Sequence, residues 1–346
     1  MSPSLVLGYF IVKPRFYLIL IIGMLLLNAC SSSPDLKELV TQNIAATRQQ
    51  MDYLSDSLQS GELRNGIILG QYADIIARQR PEIADLAYSL SRDAKPEGSL
   101  YKNLQKRLRD VADFRENSLG QAQFPTLQGR LDELTAIRVA ASSEMFNDAL
   151  SDPVNVLADL SGGSLARVNA ISQEQERLSD GAVEDKPGRQ LVGNPNYGNW
   201  RQDRHGSSFW EWYGKYALFS SLIGGRSYYG PWSYGRGYSY YHDVGRNSYS
   251  SPSQRVNQNF VEQKTKKKYR NSGKKFNSPY AKKRAGGSGL SRSSQAQSKK
   301  VFTSPYGKQK SSSRSSPASK SKYSSSYSGS ARNNTSRTSR GLSGGK

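Results

Sequence analysis

Between residues 34 and 180 the apolar positions recur at intervals of three and four, the spacing of one helix face after another. Leu36, Leu39, Val40, Ile44, Met51, Leu54 and Leu58 define the first face. Ser33-Pro34 offers a cap and a proline at the first helical position, and Gly61 a stop. Leu63, Ile67, Ile75 and Ile76 predict a second helix over 62–80, and Ile83, Leu86 and Leu90 a third, opened by Pro81. After the break "AKPEGS", Leu100, Leu104, Leu108, Val111 and Phe114 point inward from a fourth helix over 99–119. A fifth carries Leu127, Leu131, Leu134, Ile137, Ala141 and Met145; Pro153 and Gly162-Gly163 bound short pieces, and a last helix uses Leu165, Val168, Ile171 and Leu178. Short connections make neighbours antiparallel hairpins, so the expected class is all-α, a bundle of about 145 residues with one core. Nothing in this stretch alternates with the period of a strand.

The pattern breaks at residue 186. Residues 186–250 hold all four tryptophans, Trp200, Trp210, Trp212 and Trp232, and many tyrosines. One piece, 208–223, places Phe209, Tyr213, Tyr216, Ala217 and Leu222 near one helical face, with Gly224-Gly225 to end it. Three uses stay open for this aromatic segment. It packs as a lid on the helical body, or rests as an amphipathic helix at a membrane interface. Or Trp200, Trp210, Trp212, Tyr213 and Trp232 form an aromatic binding surface for sugar or base faces, with Arg201, Arg204, Arg226 and Arg236 holding anionic groups.

From 251 to 346 large aliphatics nearly vanish and serine fills 25 of 96 positions. Such composition buries too little apolar surface to offset chain entropy, which predicts a disordered tail. Two segments in it match: "KKFNSPYAKK" at 274–283 and "KKVFTSPYGKQ" at 299–309, read as short contact motifs or as chance in biased sequence.

Charge sharpens the division. Lys and Arg number 16 against 24 Asp and Glu over 31–185, a net of −8; 8 against 3 over 186–250, a net of +5; and 23 against 1 over 251–346, a net of +22. The overall +21 therefore describes neither the acidic body nor the basic tail. Candidate anion-binding residues are Lys264, Lys266, Lys267, Lys268, Arg270, Lys274, Lys275, Lys282, Lys283 and Arg284. Such a polycation binds polyanions by counterion release, with little sequence specificity; the plainer use is a solvated spacer.

Conventional catalytic chemistry is hard to assemble. A single cysteine excludes an intrachain disulfide or a cysteine-based metal cluster. His205 and His242 stand 37 residues apart in polar surroundings, so no metal or other cofactor is expected. The sequence shows no Ser/His/Asp set, no close carboxylate pair beside a histidine and no phosphate-cradling glycine loop.

The remaining pattern lies at the start. Lys13 and Arg15 precede an apolar run over 16–27, shorter than the roughly 20 residues that span a bilayer. Leu27-Asn28-Ala29-Cys30 follows, and in that order the parts resemble the lipobox leader of bacterial lipoproteins. The resemblance covers residues 1–30 and implies a signal peptide over 1–29, a lipidated residue Cys30 opening the mature chain at 30–33, and anchoring by several acyl chains. Ser31 after the cysteine, in place of aspartate, implies outer-membrane sorting. Initiation at Val12 would give the more regular leader. The expected protein is thus a lipid-anchored, non-enzymatic envelope protein: a helical domain over 34–180, an aromatic segment over 186–250, and a tail over 251–346 that tethers to anionic glycan, lipopolysaccharide, DNA or lipid. The alternatives are an intracellular nucleic-acid-binding protein with a misread leader, or an enzyme whose site no single sequence displays.

Overall fold

The computed structural model describes residues 35–181 and 186–301. These fall in the unit Met1–Ser304; the second unit, Pro305–Lys346, lies outside the described residues. So do the leader with Cys30, the Ser33-Pro34 pair, the second Ser-Pro-Tyr copy and the tail beyond 301.

Residues 35–181 are largely helical, mostly where the apolar spacing puts the helices. Helix α1 (Leu36–Ser60) buries Val40, Ile44, Met51, Leu54 and Leu58 and ends at Gly61, whose φ of 70° closes the last turn. Its cap is Asp35, whose side chain accepts from the Lys37 N–H at 3.3 Å; Leu36 stays exposed. Helices α2 (Arg64–Gln79) and α3 (Ala84–Ser91) follow, with a 3-10 turn at Pro81–Ile83 between them. Helix α4 (Ser99–Ala112) stops before Phe114, which lies half-exposed over the Arg130 guanidinium at 4.0 Å instead of pointing inward. After the short α5 (Leu119–Gln123), α6 (Leu127–Ala140) ends before Met145, because Ser142 caps a new helix, α7 (Ser143–Ala149).

The packing corrects the simple hairpin order. Helix α1 packs along α6 rather than α2, while α2 packs on α3 and on α8 (Ser151–Leu160). Helix α8 is almost wholly buried, and Pro153 sits inside it. At the third helical position its missing N–H costs no hydrogen bond, and with Gly162-Gly163 it bounds this short helix as expected. The predicted last helix is also shorter. Leu165, Val168 and Ile171 lie in irregular chain, and only α9 (Gln173–Asp180) is helical, with Leu178 exposed.

The larger correction concerns residues 208–223. This stretch opens with a strand: β1 (Gly198–Gln202) and β2 (Ser208–Trp212) form an antiparallel hairpin with Trp200 opposite Trp210. Residues 208–212, Ser-Phe-Trp-Glu-Trp, alternate: positions 208, 210 and 212 are buried, Phe209 is partly covered and Glu211 exposed. A period of two over five aromatic-rich residues overrides the weaker period of 3.6. Asp203 fixes the connecting loop by accepting from the N–H groups of His205 at 2.9 Å and Ser207 at 2.8 Å. Short helices α10 (Phe219–Leu222), α11 (Tyr229–Gly235) and α12 (Arg246–Tyr249) follow, with a π-helical turn at Tyr241–Gly245.

Residues 251–301 of the serine-rich segment are ordered. Helix α13 (Pro252–Asn271) begins with a complete capping box, Ser251 and Gln254 each bonding the other's backbone N–H, and α14 (Arg292–Val301) packs on α7 and the π-helical turn. Composition alone argues for disorder because it counts the segment's own apolar surface. Here the segment gains its order by covering the surface of the body.

Carboxylates of the body make that docking specific. Asp152, at the start of α8, accepts from the Ser239 hydroxyl at 2.8 Å and the N–H groups of Tyr240 at 2.7 Å and Tyr241 at 2.9 Å. Asp148, one turn earlier, accepts from Ser291 through its N–H at 2.9 Å and its hydroxyl at 2.7 Å. Truncating Asp152 leaves three buried donors unmatched, each worth about 1 kcal/mol or more. Asp152→Ala is therefore expected to lower unfolding stability by about 3 kcal/mol in urea titrations, while Asp132→Ala on the exposed face of α6 stays within about 0.5 kcal/mol.

Candidate anion-binding surface

Helix α13 turns one face to the body, with Gln258, Val261 and Thr265 buried, and the other to solvent. Its last turn carries Lys268 and Arg270, which complement the negative end of the helix dipole. Gly273 then adopts φ 66°, and the Lys274 N–H bonds the Tyr269 carbonyl at 2.9 Å. This reversal, open to glycine without strain, folds the next residues back beside the helix end. Lys266, Arg270, Gly273, Lys274, Lys275 and Phe276 line one open cleft of about 510 Å³. Four of its six lining residues are cations and none is an acid. The lone acid of 251–301, Glu262, accepts from the Tyr229 hydroxyl at 3.3 Å instead.

Phe276 joins this cleft to the core. Its ring lies 5.6 Å from Tyr269 and stacks 6.4 Å from Tyr229, which in turn meets Trp200 at 4.8 Å. Helix α11 approaches α13 closely at Gly230, where a Cβ would collide with the Tyr269 hydroxyl.

The other candidate cations scatter. Lys264 and Lys268 reach back to the β-hairpin, donating to Gln202 Oε1 at 2.6 Å and Ser207 Oγ at 2.5 Å. Lys267 is exposed on the helix beside the cleft. Lys282 is exposed, Lys283 reaches Ser298 at 3.5 Å, and Arg284 is buried, its backbone N–H donating to Asp243 at 3.3 Å. The linear run thus contributes Lys266, Arg270, Lys274 and Lys275 to one place and spends Lys264, Lys268 and Arg284 on internal contacts.

The aromatic binding surface is not a surface. Trp200, Trp210, Trp212 and Trp232 are all buried, and of the five candidates only Tyr213, 42% accessible, is exposed. Trp200 is the hub, with ring centroids 5.1 Å from Trp210 and 5.3 Å from Trp232. Rings that cover one another present no free face for stacking a ligand. The accompanying arginines are also engaged: Arg201 pairs with Glu211 at 2.8 Å, Arg226 lies 4.6 Å over Phe209, and buried Arg236 holds Asp243 through two bonds of 2.8 and 2.9 Å. Arg204 meets its neighbour His205 at 3.2 Å. The first Ser-Pro-Tyr copy is an internal clasp, since the Pro279 carbonyl accepts from Arg236 Nε at 2.7 Å and Arg246 lies 4.1 Å over the Tyr280 ring.

Titratable groups in the core are shifted mainly by burial. Desolvation pushes Asp152 up to about 7 and Asp93 up to about 6, although each accepts hydrogen bonds that favour its charged form. A serine and a lysine also meet: Lys215 Nζ donates to Ser99 Oγ at 2.8 Å, with Tyr216 at 3.3 Å and Asp93 accepting from the Ser99 N–H at 2.9 Å. Burial lowers the Lys215 pKa from its ordinary value, and Asp93 opposes that shift. Among the described residues no group of His, Cys, Asp and Glu is arranged to hold a metal, and no helix is long and apolar enough to cross a membrane. Comparison with known proteins yields no match among family models, curated proteins or solved structures.

His242 is buried against Trp232, 5.0 Å between centroids. Its Nε2 lies 2.7 Å from the Val192 carbonyl, which can only accept, so Nε2 carries the proton and Nδ1 accepts from the Tyr280 hydroxyl at 3.2 Å. Burial first, and then Arg236, lowers its pKa well below the ordinary value. The unfolded chain takes up a proton below about pH 6.5 and the folded chain does not, so this residue's stabilisation is lost as pH falls through that range. Asp152 and Asp93 act oppositely, since their raised folded pKa values favour the fold as pH falls from about 7 toward 4. Comparing wild type with His242→Gln cancels the carboxylates. The stability gap between the two proteins is expected to shrink by about 2 kcal/mol from pH 7.5 to pH 5, read from urea unfolding at both values; a constant gap would mean a protonated imidazole in the fold.

Proposed function

We propose that the protein is a lipid-anchored, non-enzymatic component of a bacterial cell envelope, tethered through Cys30 and contacting anionic polymers or lipids through its C-terminal cations. The observation that carries the contact is the cleft of Lys266, Arg270, Lys274 and Lys275, four cations with no acid among the lining residues. Residues 302–346 add nine more Lys and Arg and no Asp or Glu. Cations gathered on one side of a folded surface attract polyanions more strongly than the same charges dispersed. The order Leu27-Asn28-Ala29-Cys30 after an apolar run supports the anchor, and Ser31 supports the outer membrane over the inner.

Cells fed a labelled fatty acid are expected to label the wild type and leave Cys30→Ala unlabelled. Label-free wild type in the soluble fraction would instead favour the intracellular nucleic-acid reading, which draws on the same cations. The contact is tested separately on the full chain. Neutralising Lys266, Arg270, Lys274 and Lys275 to Gln together should reduce the slope of log affinity against log salt on duplex DNA by about 3 to 4. An unchanged slope would remove these residues from the contact.

A further inference from the structure

Helix α13 exposes two large apolar side chains, Val256 at 67% and Phe260 at 57% accessibility. They are four residues apart and share a face. Continuing that face by steps of three and four leads through Gln263 to Lys267 and Arg270, with Lys266 alongside. All six are exposed. One stripe of a 20-residue helix therefore runs from an apolar end into the cationic cleft.

A soluble polyanion uses only the cationic end and leaves the valine and the phenylalanine in water. A bilayer surface with anionic headgroups uses both, because apolar side chains enter the boundary of the acyl region while nearby cations meet headgroup phosphates. A second copy of this chain meeting the stripe through its own stripe would set cations against cations, and residues 302–346 are themselves cationic. We propose that the stripe Val256, Phe260, Gln263, Lys266, Lys267 and Arg270 is an interfacial face that seats the folded domain on an anionic lipid surface. This narrows the anion partner proposed above to lipid and rests on that reading. In a lipid-anchored chain it supplies a second membrane contact, which lays the domain against the bilayer instead of leaving it on a tether.

The test uses the chain from residue 30 onward with Cys30→Ala, free of the apolar leader, so that one introduced thiol carries a fluorophore. Phe260→Cys places the label on the stripe, and Thr135→Cys places it on an exposed position of α6. Vesicles of phosphatidylcholine, with and without phosphatidylglycerol, carry a lipid quencher at headgroup depth. The label at 260 should lose most of its emission with the anionic vesicles only, and the label at 135 should keep it. Adding Lys266→Glu, Lys267→Glu and Arg270→Glu should restore emission at 260. Emission retained at 260 in a protein that still binds DNA with steep salt dependence overturns the lipid surface and leaves the polyanion contact standing. Emission retained with no DNA binding overturns both. Equal quenching with zwitterionic vesicles overturns the role of the cations, and equal quenching at 135 overturns the orientation.

Discussion

Two carboxylates four residues apart, Asp148 and Asp152, hold the C-terminal part of the chain on the helical body. They lie either side of the junction between α7 and α8, where the chain is fully buried. Asp152 closes the start of the π-helical turn, and Asp148 takes the residue before α14. Each turns a buried charge into a set of matched hydrogen bonds, the condition under which a carboxylate is tolerated away from water. Together they spread the contacts of the body over residues 239–291.

The aromatic cluster grows from that docking. With the π-helical turn fixed on the body, Trp232 and His242 meet, and the β-hairpin brings Trp200 and Trp210 against Trp232. Aromatic rings bury large areas, and edge-on and tilted contacts of this kind stabilise beyond area alone. The abundance of Trp and Tyr thereby serves the core. The polar segment that follows inherits a template, and the Phe276 and Tyr280 rings become its anchoring points.

The cationic cleft and the core are therefore coupled through a few residues. Phe276 stacks on the aromatic core on one side and lines the cationic cleft on the other. The positions of Lys274 and Lys275 follow from where that ring docks and from the reversal at Gly273. Lys264 and Lys268, though they belong to the same linear run, are turned to the hairpin and bonded there.

The helical body was legible in the sequence because its faces repeat every three or four residues and because Gly61 acts on its own neighbours. The charge division was legible for the same reason: it is a local property. The strand at 208–212 was hidden, since five residues of alternation also fit a helix face until Trp200 arrives opposite Trp210. The order of residues 251–301 was hidden more deeply, because it depends on Asp148, Asp152, Asp243 and Arg236, charges that look like ordinary surface groups when read in line. Sequence alone determined that the body is largely helical, how charge is distributed along the chain and how many cations are available. Tertiary structure decided which aromatic rings are buried and which lysines are engaged, because burial and pairing depend on partners distant in the chain, such as Gln202 for Lys264, 62 positions away, and Asp148 for Ser291, 143 away.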